Sequence, residues 1–245
     1  MVNKPGVNEN SIAVVGWHDG AAGQICSWLE ETSAFRVACF INPDDTPLDI
    51  DPSKIKRDVS QFDYPTQTTF KNRLLINASR WVERVKDLGI TKALVTTDDC
   101  LKRHEQIQQA RKAGLTLINA IHPTVTIMPE AKLEDNIILY PNTFIGYRAE
   151  LQSGVFVISA HLDHHNVMRG CVTIDPGVVF AGNVTIGAFS RVHTGAVIKN
   201  RIRVGEGSIV GAGAVVIRDV EDHVTVVGVP AKVIKNHVTI SSGAV

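Results

Sequence analysis

The chain has 245 residues, 44% of them hydrophobic, and its 25 Lys plus Arg balance 25 Asp plus Glu, so no global field favours nucleic acid or an anionic membrane. Cys26, Cys39, Cys100 and Cys171 form no C-x-x-C pair and fit a reducing compartment. The polar opening MVNKPGVNEN lacks the apolar run of a signal peptide, and no stretch approaches the ~18 to 20 apolar residues of a membrane span, so a soluble, cytoplasmic protein is expected.

Residues 11–16 (SIAVVG) read as a short buried strand and the turn 16–23 (GWHDGAAG) is Gly-rich. Residues 24–32 read as a helix with Ile25, Trp28 and Leu29 on one face, and 35–41 (FRVACFI) as a second strand. The turn is either a tight corner packing helix on sheet or a phosphate or sugar site at a helix N-terminus. Residues 42–70 are irregular, broken by Pro43, Pro47, Pro52 and Pro65 with Asp44, Asp45, Asp49 and Asp51 between them, and read as a long loop on the ligand edge. A helix is predicted over 77–88, stopped by Gly89, then a strand over 92–97. Asp98 or Asp99 caps a helix reaching Ala113 and closed by Gly114, and 115–120 is a further strand. This alternation predicts a small parallel α/β sheet over 1–121, with ligands near the C-terminal ends of its strands.

After His122 and Pro123 the helical period gives way to a six-residue one. Ile127, Leu133, Leu139, Ile145, Leu151 and Val157 form one series; Leu162, Met168, Ile174, Phe180, Ile186, Val192, Ile198, Val204, Val210 and Val216 form another, all apolar. Such a repeat predicts a parallel β-helix over 122–245, because one short flat side cannot bury its apolar residue until coil stacks on coil. Four residues after each aliphatic stands a small or β-branched residue that suits an inner corner, except at His161 and Asn166. Val157 to Leu162 is five residues, so one residue is missing from the beat, and His161, His164 and His165 crowd around the gap. His164 lies two past a core aliphatic and should point outward.

Three stretches resemble the NeuD/PglD-like sugar acyltransferases, which are sialic acid O-acetyltransferases and N-acetyltransferases of nucleotide-linked amino sugars. They are LDHHNV at 162–167, VTIDPGVVFAGNVTIG at 172–187 and GVPAK at 228–232. The N-terminal half is similar as well, through its strand, Gly-rich turn and the 93–123 segment, whereas 42–80 fits poorly. The resemblance implies a Rossmann-like domain followed by a left-handed β-helix with coils of about 18 residues, a homotrimer, and acetyl-CoA as co-substrate. It also implies His164 as catalytic base, with Asp163, Asp175 or His165 to orient it; His165 stands where an acidic residue is usual. The family histidine that approaches the thioester falls on Thr173. The coenzyme would run past Thr173, Gly182, Thr194, Gly211 and Ala212 toward Gly228, Val229, Pro230 and Lys232. The sugar or nucleotide-sugar acceptor would meet Gly16, His18, Asp19, Gly20, Asn42 and Asp44.

The chemistry expected is direct transfer of an acetyl group to an amine or hydroxyl, with the Gly182 N–H polarising the thioester in a gap left open beside His164. His161 reads as a hydrogen-bonded corner residue, His122 as structural, and His193, His223 and His237 as surface residues. Three rivals are a sialic-acid-type O-acetyltransferase, a zinc protein like the γ-class carbonic anhydrases, with His161, His164 or His165, and His193 as ligands between subunits, and a non-catalytic scaffold or sugar-nucleotide sensor. No metal is expected under the acyltransferase reading.

Overall fold

The computed structural model describes residues 6–44 and 63–237. Asp45, Pro47, Asp49, Asp51 and Pro52 of the ligand-edge loop lie outside the described residues. The chain divides into two compact units, Met1–Ala120 and Ile121–Val245.

In the first unit, β1 (Ser11–Val15), β2 (Arg36–Asn42), β3 (Thr69–Phe70), β4 (Arg73–Asn77), β5 (Lys92–Val95) and β6 (Thr116–Leu117) form one sheet in the order β3-β4-β2-β1-β5-β6. All pairs are parallel except β3 with β4. β1 lies between β2 and β5, so the strand order reverses beside β1, a switch point at which the C-terminal strand ends of such sheets commonly bind ligands. The helices α1 (Gln24–Thr32), α2 (Trp81–Asp87) and α3 (Cys100–Lys112) follow the predicted order. Asp99, not Asp98, caps α3, its Oδ1 accepting the Lys102 N–H at 2.9 Å. Gly89 and Gly114 end α2 and α3 at φ of 77° and 78°, in the left-handed region that a side chain resists. The β3–β4 hairpin was not expected: β3 falls at the end of the stretch read as loop, and β4 fills the segment between it and the predicted helix and takes that helix's first residue, Asn77. Its strands have only two and five residues, and the turn between them is left-handed at Lys71 and Asn72 without glycine.

The second unit is a left-handed β-helix. Its first face runs through Ile138–Leu139, Phe156–Val157, Thr173–Ile174, Arg191–Val192 and Ile209–Val210 to Val224–Val227, where Lys232–Asn236 closes it antiparallel. The second face stacks Thr126–Ile127, Phe144–Ile145, His161–Leu162, Val179–Phe180, Val197–Ile198 and Val215–Val216. The third stacks Lys132–Leu133, Glu150–Leu151, Val167–Met168, Thr185–Ile186 and Arg203–Val204. From Ile138–Leu139 onward the second residue of each pair is buried, and Leu139, Ile145, Leu162, Ile174, Phe180 and Val192 are fully buried in one continuous core. Each such side chain removed from water contributes roughly 1.5–3 kcal/mol, which a single coil could not realise. Most corners turn through a left-handed residue, either glycine (Gly177, Gly195, Gly213) or a side chain such as Asn142, Asn183 or His165.

The missing residue is where the repeat locates it, but it changes which residue fills the corner. Only Ile158, Ser159 and Ala160 separate Phe156–Val157 from His161–Leu162, so Ala160 takes the buried inner position at 3% exposure. His161 is therefore no corner residue. It is the outward residue of its strand, exposed, with its ring stacked on Phe144 at 4.5 Å and 5°. Asn166 is a buried corner residue as expected. Its Oδ1 accepts the Val184 N–H at 2.7 Å, while its Nδ2 is buried without a hydrogen-bond partner. Asn166→Ala strands the Val184 donor, an expected loss of about 1–3 kcal/mol offset in part by removing the unpaired amide. Urea denaturation checks this by a lower midpoint at unchanged slope.

Candidate functional site

The corner between the second and third faces carries Glu130, Tyr147 and Arg148, Asp163 to His165, and Gly182 with Asn183 on successive coils. Partners across coils are 18 residues apart on either side of the slip, as in Thr126 with Phe144 and His161 with Val179, and 17 apart where the pair spans it, as in Phe144 with His161. The shift by one sets what lies above and below His164. Beneath it, a Cβ on Gly146 would come within 2.4 Å of the Asp163 carbonyl carbon, so the two backbones stack directly. Above it, a Cβ on Gly182 would lie 2.3 Å from Cε1 and 2.4 Å from Nε2 of His164. The glycine does not leave the open gap expected from the sequence: the imidazole itself fills that space and lies on the glycine backbone. Among the described residues, the Gly182 N–H has no hydrogen-bond partner, while its carbonyl accepts the Arg201 N–H at 3.1 Å.

His164 and His165 are both exposed, and their Nδ1 atoms face each other at 3.0 Å with the rings at 85°. Asp163 does not reach the ring; its Oδ1 accepts the backbone N–H of His164 at 2.7 Å. Asp175 does not reach it either, because its buried carboxylate holds His193 Nδ1 at 2.7 Å and Arg191 at 3.0 Å. His193, read from the sequence as a surface residue, is thus half of a His–Asp pair. The signal that could have found it was the 18-residue spacing between Asp175 and His193, which stacks them on adjacent coils. Beneath His165 the Tyr147 ring meets it edge to face at 5.6 Å. The Tyr147 hydroxyl donates to Glu130 Oε1 at 2.9 Å, and Arg148 Nε donates to Oε2 at 2.7 Å. These bonds, Arg148 first, hold the Glu130 carboxyl below the usual carboxylate range, and the same carboxylate pushes the Tyr147 hydroxyl up. A depressed carboxyl stabilises the corner above its unfolded pKa and loses that contribution as pH falls through the folded one.

The remaining expected residues fall into three sets. Thr194, Gly211 and Ala212 share the corner between the first and second faces with Asp175 and His193, and Gly228 to Lys232 forms the turn that follows Val224–Val227. Thr173 is fully buried and offers a ligand no surface. In the first unit, Gly16 (φ 119°) ends β1 against Thr96, whose Oγ1 would lie 2.4 Å from a Cβ there. One π-helical turn, Asp19–Gly23, leads into α1. His18 occupies three of this turn's donors: its carbonyl accepts from Ala21 and Gly23, and its Nδ1 accepts from Gly20 at 3.3 Å. The helix N-terminus is therefore less free to hold an anion than the sequence suggested. Asn42 is buried, donates to Asn77 Oδ1 at 2.9 Å and accepts the Asp44 N–H at 3.4 Å, so Asn42 and Asp44 meet at the end of β2. Among the described residues of one chain, no group of three or more His, Cys, Asp or Glu side chains is positioned to hold a metal ion.

An α/β unit followed by a left-handed β-helix is the fold of the solved hexapeptide-repeat sugar acetyltransferases to which the chain is similar. The chain is similar to the acetyltransferase domain of PglB from Neisseria gonorrhoeae FA1090, solved with acetyl coenzyme A: TM-score 0.76, 25% identity, covering 92% of this chain and 100% of that one. PerB from Caulobacter crescentus, solved with CoA and GDP-perosamine, matches with TM-score 0.78 over 92% of this chain and 98% of its own, and at 22% identity the likeness is one of fold. Among curated relatives, the serine acetyltransferase of Buchnera aphidicola is 37% identical over 116 residues, 46% of this chain and 41% of that protein. The chain spans less than half the length of the curated relatives it first matches. No family model matches it.

Proposed function

We propose that this chain is an acetyl-CoA-dependent acetyltransferase acting on an amine of a sugar, most simply a nucleotide-linked amino sugar, with His164 as general base. The observation that carries the reading is the imidazole of His164 seated on Gly182 at the coil that the slip shortens by one residue. The full-length likeness to the PglB acetyltransferase domain supports acetyl-CoA as donor. In the reaction, the sugar nitrogen attacks the thioester carbonyl while Nε2 of His164 takes a proton from it. The carbon–sulfur bond then breaks, and the proton passes to the departing sulfur, leaving amide and free CoA thiol. The unpaired Gly182 N–H is a donor available to the carbonyl oxygen as it gains charge.

The Thr194, Gly211 and Ala212 corner and the His164 corner flank the second face, on which Val179 and Val197 are 42% and 41% exposed. That apolar stripe supports a homotrimer in which copies of this face approach one another and bring the two corners together. The C-terminal ends of β1 and β2, with Gly16, His18, Asn42 and Asp44, are the candidate acceptor site. No helix among the described residues is long and apolar enough to cross a membrane. The four cysteines are free, with burial pushing the Cys26 and Cys39 thiols up to about 12, which supports a reducing, cytoplasmic setting.

The test is thiol release from acetyl-CoA by the full chain against UDP-, GDP- and dTDP-amino sugars, free sialic acids and serine. Acceptor-dependent CoA release with an amino sugar is expected. Release only with sialic acid or serine would move the nucleophile to a hydroxyl or the acceptor out of the sugar class. No release with any acceptor, together with no thermal shift on adding CoA, would overturn the reading.

A further inference from the structure

We propose that His165 is the positioning residue for His164: its Nδ1 accepts the Nδ1–H of His164 and so keeps Nε2 of His164 unprotonated over Gly182. The proposal deepens, and rests on, the reading of His164 as the base. Two imidazole nitrogens 3.0 Å apart share a single proton, since two protons would repel and none would leave two lone pairs opposed. If the shared proton belongs to His164, its Nε2 carries the lone pair and can take a proton from an acceptor. If it belongs to His165, the neutral His164 must carry its own proton on Nε2 and is no base. The tautomer therefore decides the activity of the corner, and His165 is the group that touches the deciding atom.

The surroundings hold the His165 ring in place beside His164. His165 occupies the left-handed position of its corner (φ 57°), and its backbone N–H donates to the Tyr147 carbonyl at 2.8 Å. Its ring is braced by the Tyr147 ring, which is itself held by Glu130 through the hydroxyl and covered by Arg148 at 5.0 Å. Glu130, Tyr147 and Arg148 come from the coils beneath. On the pair's own turn, Asp163 is engaged with the His164 backbone, and above it stand the non-titrating Gly182 and Asn183. Glu130 sets a carboxylate near His165, and Arg148 offsets part of its charge. An imidazole partner differs from a carboxylate in one testable respect: once it is protonated its Nδ1 can no longer accept from His164.

The first experiment needs no substrate. Long-range proton–nitrogen spectra of the full chain with ¹⁵N-labelled histidine report the tautomer of each ring. The expected result is His164 protonated at Nδ1 in the wild type, and in His165→Ala a return toward the Nε2–H form that an unrestrained imidazole favours. His164 protonated at Nε2 in the wild type would overturn the proposal. The second experiment compares His165→Ala with His165→Asn, which tolerates the left-handed backbone and keeps an acceptor oxygen but cannot take a proton. His165→Ala should lose about ten- to a hundredfold in kcat with KM for acetyl-CoA nearly unchanged. His165→Asn should recover most of that loss and shift the acid limb of the kcat/KM profile. An unchanged kcat and acid limb in His165→Ala, beside an inactive His164→Ala, overturns this proposal and leaves the base intact. Equal losses in both His165 variants with a lowered Tm would reduce His165 to a structural role and overturn it too. Activity surviving in His164→Ala would overturn the base itself.

Discussion

His164→Ala is expected to lower kcat by about 10²- to 10⁴-fold, the usual effect of removing a positioned general base. The loss should appear in kcat and kcat/KM alike, because the ring is required when the proton leaves the attacking nitrogen and not when acetyl-CoA binds. Stability should change little. His164 is exposed, its backbone N–H bond to Asp163 and its carbonyl bond to Asn183 do not involve the ring, and no core residue depends on it. Steady-state kinetics beside a thermal melt separates the two effects. A variant that melts like the wild type and keeps wild-type turnover would remove His164 from the chemistry.

The glycines on either side of that corner should respond in opposite ways. At Gly146 an added methyl meets backbone: the Asp163 carbonyl carbon at 2.4 Å, its oxygen at 2.6 Å and the His164 nitrogen at 2.7 Å. Backbone stacked in a continuous ladder cannot step aside without parting two coils. Gly146→Ala should therefore cost about 1–3 kcal/mol, as overpacking does, and lower Tm by several degrees. At Gly182 the methyl meets the His164 ring, the free end of a side chain, which can swing out. Gly182→Ala should fold with a melting temperature close to the wild type but lose about ten- to a hundredfold in kcat, since displacing a catalytic group by about 1 Å carries a cost of that order. Melts and kinetics on the two variants would show stability falling in one and turnover in the other. Equal behaviour would mean that the ring does not rest on Gly182 in solution.

The fold was legible in the sequence because its signal is local and repeated. Every coil needs an inward aliphatic at a fixed step and a small residue at the corner, so each hexad reports the architecture independently. In the α/β unit the same holds for α3, with Asp99 at its start and Gly114 after its end. The β3–β4 hairpin escaped because strands of two and five residues carry too little alternation to be read, and their pairing is decided by β2 alongside. His161 was misassigned for a related reason. Counting forward from Val157 makes it a corner residue, but the core prefers to seat the small Ala160 there and turn the imidazole outward onto Phe144.

By itself the sequence determined the coil, the shortened step at residues 158–160 and the outward direction of His164, since all three follow from spacing along one strand of chain. Only the tertiary structure decided the neighbours of that histidine. Contacts between coils join residues 17 or 18 positions apart, and one absent residue switches the count, bringing Tyr147 and Glu130 under the histidine pair and laying the His164 ring on Gly182. It also gave Asp175 to His193 and left His165 as the side chain in hydrogen-bond contact with the His164 ring among the described residues. A period can be read from a single chain segment, whereas a partner across the stack depends on every residue counted in between.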